Sequence, residues 1–344
     1  MNLQSYRTLG RSGLVVSPLG LGTMTFGAEG WGSSSEVSQT IFDAYVEAGG
    51  NFIDTADVYT EGLSEELVGR FITERNLRDE IVLATKFTFN DSESNPNAGG
   101  NGRKNAHRAL DASLRRLKTD YVDLYYTHVW DTVTPVEEVL QTLGDFVRAG
   151  KIRYFAFSDL PAWYAARAVT LASAHAIPGP IAMQLEYSLV NRGIEREHVD
   201  AARTCGLGIV PWGPLASGFL SGKYTRTGDG LAGAGRFATK ASFREFPDRS
   251  WGALDALRAV AAELECPLAP VALAWTVAKP GIAATLIGAS SLAQLHDNLV
   301  SLEIVLTPGQ MRRLDEASAL DRLDDFSSDV KRAIFGGHDV RAMP

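Results

Sequence analysis

The sequence predicts an α/β fold, a (β/α)8 TIM barrel with an N-terminal β-hairpin and a long loop after the seventh strand. Eight apolar, β-rich runs alternate with amphipathic helical segments along the chain. Most strand starts are about 30 residues apart, which is the length of one βα unit. The runs are apolar at nearly every position, as expected for strands that are covered on both faces. Eight such units with crossover helices are typical of a closed parallel barrel.

The predicted elements follow one another in the order that such a barrel requires. A hairpin comes first, with residues 6–9 and 14–16 on either side of Gly10-Arg11-Ser12-Gly13. The strands are predicted at residues 19–23, 51–56, 81–87, 121–129, 151–159, 181–187, 207–213 and 284–289. Helices between them are predicted at residues 35–48, 64–74, 104–118, 135–149 and 161–174.

We expect one domain over residues 1–344, with a barrel core at about 5–318 and a C-terminal tail at 319–344. Residues 214–249, rich in glycine and polar side chains, separate strands seven and eight, and loops of that length are usually functional. A doubly wound sheet is the alternative fold. It is disfavoured because no Gly-x-Gly-x-x-Gly opens a helix after a strand, with an acidic residue about 20 positions further on.

The composition argues against several classes of protein. The chain has 344 residues, is 45% hydrophobic, and carries 33 Lys and Arg against 41 Asp and Glu, a net charge of −8. Such apolar content excludes disorder as the main state, and the acidic balance disfavours general binding to nucleic acids or anionic membranes. Cys205 and Cys266 form no Cys-x-x-Cys pair, so neither a zinc site nor a disulfide framework is indicated. We expect no metal.

Neither a signal peptide nor a membrane span is predicted. The N-terminus has no basic stretch followed by an apolar run. The most apolar stretch, residues 267–289, is interrupted by Lys279-Pro280-Gly281, which leaves pieces too short to cross a bilayer. A buried helix followed by a buried strand is the preferred interpretation. We therefore expect a cytoplasmic protein that binds neither membrane nor nucleic acid.

Chemically active side chains lie at the ends of three consecutive predicted strands. Barrel active sites form at the C-terminal ends of the strands. Strand two ends close to Asp54 and Tyr59, strand three at Lys86 and strand four at His128. Lysine is almost never buried without a partner, so packing alone does not easily explain Lys86 within its apolar run. His128 is the only one of the six histidines at a predicted strand end.

These four side chains form a coherent set for acid–base chemistry. A lysine beside a tyrosine stabilises the phenolate and lowers the tyrosine pKa. A carboxylate beside the lysine keeps it charged and oriented, and a nearby histidine can hold a substrate oxygen. Each residue taken alone also has a structural interpretation, since Tyr59 can be a packing residue and Asp54 can cap a turn.

Many ordered motifs between about residues 5 and 318 carry a resemblance to a known family. They are Gly20-Leu21-Gly22-Thr23, Phe52-Ile53-Asp54-Thr55-Ala56-Asp57-Val58-Tyr59, Gly62-Leu63-Ser64-Glu65, Ala84-Thr85-Lys86, Val122-Asp123-Leu124-Tyr125-Tyr126-Thr127-His128, Pro211-Trp212-Gly213-Pro214-Leu215, Gly222-Lys223-Tyr224 and Ile287-Gly288-Ala289-Ser290. With these motifs the chain resembles the aldo-keto reductase superfamily. The nearest pattern is a bacterial branch similar to potassium-channel β-subunits and aryl-alcohol-dehydrogenase-like reductases.

The resemblance implies a catalytic tetrad of Asp54, Tyr59, Lys86 and His128. In the family the tyrosine donates the proton in reduction, and the lysine, paired to the aspartate, lowers the tyrosine pKa. The histidine orients the carbonyl group. Hydride passes directly from a nicotinamide to the carbonyl carbon, and no metal takes part. The resemblance therefore implies an NADPH-dependent oxidoreductase that reduces an aldehyde or ketone to an alcohol.

The resemblance also implies which residues bind the cofactor. The nicotinamide end and its surroundings are assigned to Gly22, Thr23, Met24, Asp54, Ser158, Asp159, Gln184 and Trp212, with Trp212 stacked on the ring. The pyrophosphate clasp is assigned to Gly213, Pro214, Leu215, Ser217, Gly218 and Lys223. The adenosine end is assigned to Gly288, Ser290, Gln294, Asp297 and Asn298, with Arg236 in the long loop as a further source of charge.

Three positions depart from the usual pattern of the family. Asp159 stands where asparagine is commoner, Gly213 where serine often occurs, and Ser291 where many relatives have arginine. An ionised carboxylate still accepts a hydrogen bond from the carboxamide NH2. NADP stays the expected cofactor and NAD the less favoured one. Structural interpretations stay open as well, such as helix capping by Asp159 and a solvated loop position for Arg236.

The predicted substrate pocket is broad and aromatic, which suits a bulky carbonyl compound, a sugar or an aryl aldehyde. It is assigned to Phe26, Trp31, Phe87, Trp130 and Tyr187. The alternative function is a cofactor-binding regulatory subunit with little turnover. The histidine in the tetrad argues for catalysis, because channel β-subunits lack one at that place. A metal-dependent barrel hydrolase is disfavoured for want of metal-ligand clusters at the strand ends. A homo-oligomer stays open.

Overall fold

Eight parallel strands surround a central axis in the computed structural model, which describes residues 1–227, 230–233, 246–320, 328–338 and 340. Two short strands come first, β1 (Arg7–Thr8) and β2 (Val15–Val16). The barrel strands are β3 (Leu19–Gly22), β4 (Phe52–Asp54), β5 (Val82–Phe87), β6 (Val122–Thr127), β7 (Ile152–Ser158), β8 (Ala182–Glu186), β9 (Gly208–Trp212) and β12 (Thr285–Ile287). Between β9 and β12 the chain forms a separate pair, β10 (Tyr224–Thr227) and β11 (Gly230–Gly233). Their order is β12-β3-β4-β5-β6-β7-β8-β9, and a parallel bridge between Ile209 and Ile282 joins the two ends. The predicted barrel is confirmed.

Helices follow the strands and cover the outside of the barrel. Those described are α1 (Ser35–Glu47), α2 (Leu63–Glu74), α3 (Arg103–Leu117), α4 (Val136–Arg148), α5 (Ala162–Ala174), α6 (His198–Cys205), α7 (Asp248–Glu263), α8 (Leu268–Ala278), α9 (Leu292–Val300), α10 (Pro308–Ala317) and α11 (Ser328–Ile334). The five predicted helices agree with observed ones to within one residue at each end. At α1 the boundary has a local cause, because the Ser34 side chain accepts from Val37 N there.

Two apolar layers hold the barrel together. Inward-facing side chains of the strands, Phe52 and Tyr126 among several alanines, fill the axis. The space there is tight, since a Cβ on Gly20 would lie 2.7 Å from Phe52 Cδ1. The alternate side chains of the strands, such as Phe87 and Tyr125, pack outward against the helices in a larger core. This alternation decides which strand-end residues reach the mouth of the barrel.

The N-terminal hairpin lies across the bottom of the barrel. β1 and β2 pair antiparallel, as predicted, with Arg7 opposite Val16. Gly10, at the turn, has a φ of +63° and lies so close to Ile181 O that a Cβ would be 2.3 Å from it. Leu9 joins the inner core. Because the hairpin covers the N-terminal end of the strands, a site has to form at the C-terminal end.

The long segment after β9 contains more regular structure than predicted. A 3-10 turn covers Ala216–Ser221, and β10 pairs antiparallel with β11. These strands of four residues carry no apolar alternation, and so no pattern in the sequence marks them. Arg236, which the resemblance assigns to the cofactor, lies outside the described residues.

The apolar stretch at residues 267–289 folds, as predicted, into a buried helix and a buried strand, α8 and β12. Among the described residues, no single helix is long and apolar enough to cross a membrane. α7 and α8 pass that test only as a pair, and the chain bends by 102° between them. Cys205 and Cys266 are free and partly buried.

Candidate active site

The C-terminal ends of the strands bring the four predicted catalytic residues together. Asp54 ends β4, Lys86 lies one position before the end of β5, and His128 follows β6 directly. Tyr59 opens a 3-10 turn that follows β4. The rings of Tyr59 and His128 meet edge to face, with centroids 5.7 Å apart. Residues that are far apart in the sequence therefore form one cluster at the open end of the barrel.

Lys86 is the centre of this cluster. Its side chain is wholly buried, and Nζ donates to Asp54 Oδ1 and, at 2.8 Å, to Thr55 O. It also donates to Tyr59 Oη at 3.3 Å, so each of its three protons has an acceptor. Asp54 Oδ2 accepts in turn from Gln184 Nε2 at 2.9 Å. The buried ion pair is therefore fully hydrogen-bonded, and removing either partner would leave an uncompensated charge.

Charge and burial act against each other in the cluster. Burial works to lower the pKa of Lys86, yet the net shift is upward because Asp54 and Tyr59 stabilise the ammonium. Burial raises the pKa of Tyr59 above its ordinary value, and the opposing effect of Lys86 is smaller. The predicted lowering of the Tyr59 pKa is therefore not the net result, because a sequence does not show how strongly a phenol is desolvated. Tyr59 keeps its proton at neutral pH.

His128 is neutral in this environment. Burial, followed by the charge of Lys86, lowers its pKa to about 3. Its backbone N–H donates to Phe87 O at 2.8 Å, and no described residue bonds to its buried Nδ1. A neutral imidazole carries one donor and one acceptor. His128 therefore can hold a carbonyl oxygen without competing with Tyr59 as the acid.

Buried polar contacts of Ser64 and Glu65 support the strands that carry the cluster. Ser64 Oγ donates to Thr23 O at 2.8 Å. Glu65 Oε1 accepts from Thr85 Oγ1 at 2.5 Å, and Glu65 Oε2 accepts from Arg116 Nε at 2.7 Å. These bonds tie α2 to the ends of β3 and β5. They give a physical reason for the Ser-Glu pair in the motif at the start of α2.

The side chains assigned to the nicotinamide lie beside the cluster. Gln184 on β8 and Ser158 at the end of β7 are buried and directly opposite each other in the sheet. Trp212 ends β9 and is partly exposed, and its Nε1 donates to Asp159 Oδ1 at 3.0 Å and Oδ2 at 3.1 Å. Asp159 N donates to Gln184 O at 3.1 Å. Four predicted residues are thus connected, and the Asp159–Trp212 bond was not predicted.

The segment after β9 makes a tight left-handed turn that brings Lys223 against it. Ala216, Ser217 and Gly218 take successive left-handed conformations, with φ of +48°, +56° and +90°. The Ala216 and Gly218 N–H groups bond within the segment, to Gly213 O at 2.8 Å and Leu215 O at 2.9 Å, which fixes the turn. A Cβ on Gly218 would lie 2.7 Å from Lys223 Nζ, so glycine lets the lysine approach. Lys223 forms no ion pair with any described residue, which leaves its charge available to an anion.

The residues assigned to the adenosine end lie at the first turn of α9. Ser291 is the N-cap, and its Oγ accepts from Gln294 N at 3.3 Å. Gln294 Oε1 accepts from Ser290 N at 2.9 Å and Ser290 Oγ at 3.1 Å. The buried Asn298 Nδ2 donates to Gly288 O at 3.2 Å, which fixes the end of the last strand. Asn298 therefore has a structural role at this place.

The remaining residues assigned to the cofactor lie at the same end of the barrel. Exposed surface is retained by Gly22, Met24, Gly213, Leu215 and Asp297, whereas Thr23 and Pro214 are buried. Within the described ranges, no group of three or more His, Cys, Asp or Glu side chains is placed to hold a metal ion.

Only part of the predicted substrate pocket lies at the mouth. Trp31 is 38% exposed and Trp130 is half-buried. The three others, Phe26, Phe87 and Tyr187, are at most 1% exposed and belong to the outer core. Successive strand residues point to opposite faces, so an inward lysine at 86 turns Phe87 outward. This finding corrects the predicted lining.

Phe89 is an aromatic residue at the mouth that was not predicted. Its ring is 46% exposed and meets the His128 ring edge to face, with centroids 4.9 Å apart. Together with Val133 it lines an open cavity of about 450 Å³. Trp163, 54% exposed, meets Trp130 at 5.8 Å between centroids. The available signal was an aromatic residue just beyond a strand that ends in a buried lysine.

The chain matches one family model and is similar to several known proteins. The sequence model of the Aldo/keto reductase family matches residues 18–319. The chain is 35% identical over 320 residues to norsolorinic acid reductase of Aspergillus flavus, and the alignment covers 90% of this chain and 80% of that protein. It is 33% identical over 319 residues to a probable voltage-gated potassium channel subunit beta of Oryza sativa subsp. japonica, with 90% of this chain and 95% of that protein covered. It is 32% identical over 321 residues to aryl-alcohol dehydrogenase (NADP+) of Phanerodontia chrysosporium, with 88% and 83% covered.

Proposed function

Because this chain belongs to the aldo/keto reductase family, we propose that it reduces an aldehyde or ketone to an alcohol with NADPH, and that Tyr59 donates the proton. Family membership makes the chain an NAD(P)H-dependent oxidoreductase. One observation carries the finer proposal: the buried Lys86 ammonium bonds to both Asp54 and Tyr59 at the open end of the barrel. Packing alone does not account for a wholly buried lysine with a phenol among its partners.

The residues of the cluster divide the acid chemistry among them. The Tyr59 phenol keeps its proton because burial raises its pKa, and Oη donates that proton to the carbonyl oxygen. Lys86 Nζ, 3.3 Å from Oη, stabilises the phenolate that remains, and Asp54 keeps Lys86 charged. The neutral His128 donates a hydrogen bond to the same carbonyl oxygen and orients it. The cofactor, when bound, supplies the hydride.

The side chains present fit a nicotinamide dinucleotide. The Lys223 ammonium, which lies against Gly218, suits a pyrophosphate, and the partly exposed Trp212 offers an indole face for stacking. Gln184 and Asp159 supply polar groups for the carboxamide. We assign the adenosine end to the first turn of α9, where a 2′-phosphate would benefit from the helix dipole.

Aromatic carbonyl compounds are the substrates that the mouth of the barrel favours. Phe89 presents ring surface beside His128, and Trp130, two residues after His128, meets the exposed Trp163. Aromatic pairs gain from stacked or edge-to-face contact. The name of the relative from Phanerodontia chrysosporium refers to aryl alcohols and NADP+, which supports the same class here.

The first test is NADPH oxidation by the purified chain with an activated aromatic aldehyde. We expect oxidation that depends on the aldehyde and forms one alcohol per NADPH, because Lys86 Nζ lies 3.3 Å from the Tyr59 hydroxyl that donates the proton. A short aliphatic aldehyde is the matched control, and its kcat/KM is expected to be lower. NADPH binding without turnover on any carbonyl compound would contradict the proposal and favour a regulatory subunit.

NADPH is expected to bind more tightly than NADH by about tenfold or somewhat more. Charge-assisted bonds to a phosphate contribute about 1.5–3 kcal/mol each, and about 1.4 kcal/mol is tenfold in affinity. Ser290 and Gln294 are the candidate contacts, and Gln294→Ala is expected to weaken NADPH binding while leaving NADH nearly unchanged.

Titration calorimetry with both cofactors measures this preference. Gln310→Ala is the matched control, because Gln310 makes the same first-turn bond to Thr307 on α10. Equal dissociation constants for NADPH and NADH in the wild-type chain would refute the 2′-phosphate site. Arg236, outside the described residues, stays a further candidate. The single domain, the cytoplasmic location and a homo-oligomer also stay predictions.

A further inference from the structure

We propose that Asp159 is a positioning residue whose carboxylate holds the Trp212 indole in the orientation that a stacked nicotinamide ring requires. The inference rests on the proposed function and deepens it, since it gives a defined role to a side chain that departs from the usual asparagine. It is carried by the geometry of one hydrogen-bonded pair and by the backbone around it.

Both carboxylate oxygens of Asp159 face the same indole N–H. Trp212 Nε1 lies 3.0 Å from Oδ1 and 3.1 Å from Oδ2. Asp159 follows β7 and Trp212 ends β9, and β8 lies between those two strands in the barrel. The pair therefore spans the rim above β8 and fixes the large ring of the last residue of β9.

The backbone of Asp159 is fixed as well. Its N–H donates to Gln184 O at 3.1 Å, and its carbonyl oxygen accepts from Trp130 N at 3.1 Å. Its φ is +43°, a left-handed conformation that aspartate and asparagine tolerate better than most residues with a Cβ. With both ends of the residue held, the carboxylate has little freedom, and so the indole bonded to it has little freedom either.

A carboxylate suits this position better than an amide. An amide presents an NH2 group as well as an oxygen, and the NH2 group repels an indole N–H when the side chain is turned over. A carboxylate presents an acceptor in either orientation. It also keeps free lone pairs after bonding to Trp212, so that the same group can accept from the nicotinamide carboxamide. One side chain can then fix both the indole and the ring that stacks on it.

The charge of Asp159 gives the proposal a pH-dependent readout. Burial raises the pKa of Asp159 to about 6, and the charge of Glu186 adds to the rise. The bond from Trp212 opposes it most, followed by the Glu186 backbone N–H and the charge of Lys86. Tyr59 faces the same carboxylate, whose charge helps to raise the tyrosine pKa. As the pH falls through about 6, protonation weakens the bond to Trp212. The wild-type kcat/KM is therefore expected to fall as the pH drops below about 6. Asp159→Asn is expected not to show this fall at acid pH.

A double-mutant cycle on NADPH binding tests the pair directly. Asp159→Ala leaves the indole N–H without its acceptor and is expected to weaken NADPH binding about tenfold. Trp212→Phe keeps an aromatic ring but removes the donor, and in that background Asp159→Ala is expected to add only about threefold, which is the share of a carboxamide contact that does not pass through the indole. Asp159→Asn, which retains one oxygen acceptor, is expected to bind NADPH within about threefold of the wild type.

Several results would overturn the proposal. A second tenfold loss on adding Asp159→Ala to Trp212→Phe would mean that Asp159 acts independently of the indole. A lowered melting temperature with an unchanged NADPH dissociation constant would mean a structural role only. If Asp159→Ala does not fold, an unaltered acid limb in Asp159→Asn overturns the proposal instead. A wild-type chain that binds neither NADPH nor NADH would overturn the proposed function itself, and this inference with it.

Discussion

Tyr59→Phe is expected to lower kcat by at least about 10²-fold, the usual scale for a positioned general acid, while NADPH binding barely changes. The substitution keeps the ring and its edge-to-face contact with His128 but removes the hydroxyl that Lys86 Nζ holds at 3.3 Å. No other described hydroxyl is hydrogen-bonded to Lys86, so no neighbour replaces the lost donor. Steady-state kinetics on the best aromatic aldehyde, together with calorimetric titration of NADPH, measure the two effects separately.

Tyr125→Phe is the matched control for that substitution. No described residue bonds to the buried Tyr125 hydroxyl, and the Tyr125 ring stacks on Phe87 at 5.0 Å in the outer core. Removing this hydroxyl is expected to leave turnover at the wild-type level and to cost no stability, since no bond is lost. Wild-type turnover in Tyr59→Phe, or an equal loss in both variants, would contradict the assignment of Tyr59 as the acid.

The barrel was predictable because its signals are local and repeated. Strand and helix periods recur in every unit, and caps such as Ser34 mark where helices begin. The tetrad was predictable for a related reason: polar residues that interrupt apolar strands at their ends meet at one rim in any closed barrel. The family motifs then gave each residue a role, and those roles stay predictions.

Other features of the site depend on information that sequence spacing does not contain. The Asp159–Trp212 bond joins residues 53 positions apart across an intervening strand. The upward shift of the Tyr59 pKa depends on burial, which outweighs a neighbouring charge that the sequence did reveal. The outward orientation of Phe87 was in principle predictable, since it follows from strand alternation once Lys86 is placed inward.

Lys86→Met is expected to abolish measurable reduction at every pH and also to destabilise the fold. The methionine keeps an apolar stem but leaves the buried Asp54 carboxylate with Gln184 as its one hydrogen-bond donor among the described residues. Breaking a buried ion pair in this way costs about 3–5 kcal/mol. The unpaired Asp54 carboxyl then binds a proton more tightly in the folded state than in the unfolded state. The stability of the variant is therefore expected to fall as the pH rises above about 4. Thermal unfolding between about pH 5 and pH 8 measures that slope.

Lys86→Met combined with Asp54→Asn separates the structural role of the lysine from its catalytic role. The neutral amide needs no counter-charge and retains an oxygen that accepts from Gln184, so the double variant is expected to recover most of the lost stability and the pH dependence is expected to disappear. Turnover is expected to stay absent, because Tyr59 still lacks the ammonium that stabilises its phenolate. A stable double variant that reduces aldehydes with the wild-type pH profile would mean that Lys86 and Asp54 only hold the strands together. A stable, inactive one that still binds NADPH would assign the proton chemistry of the site to the lysine–tyrosine pair.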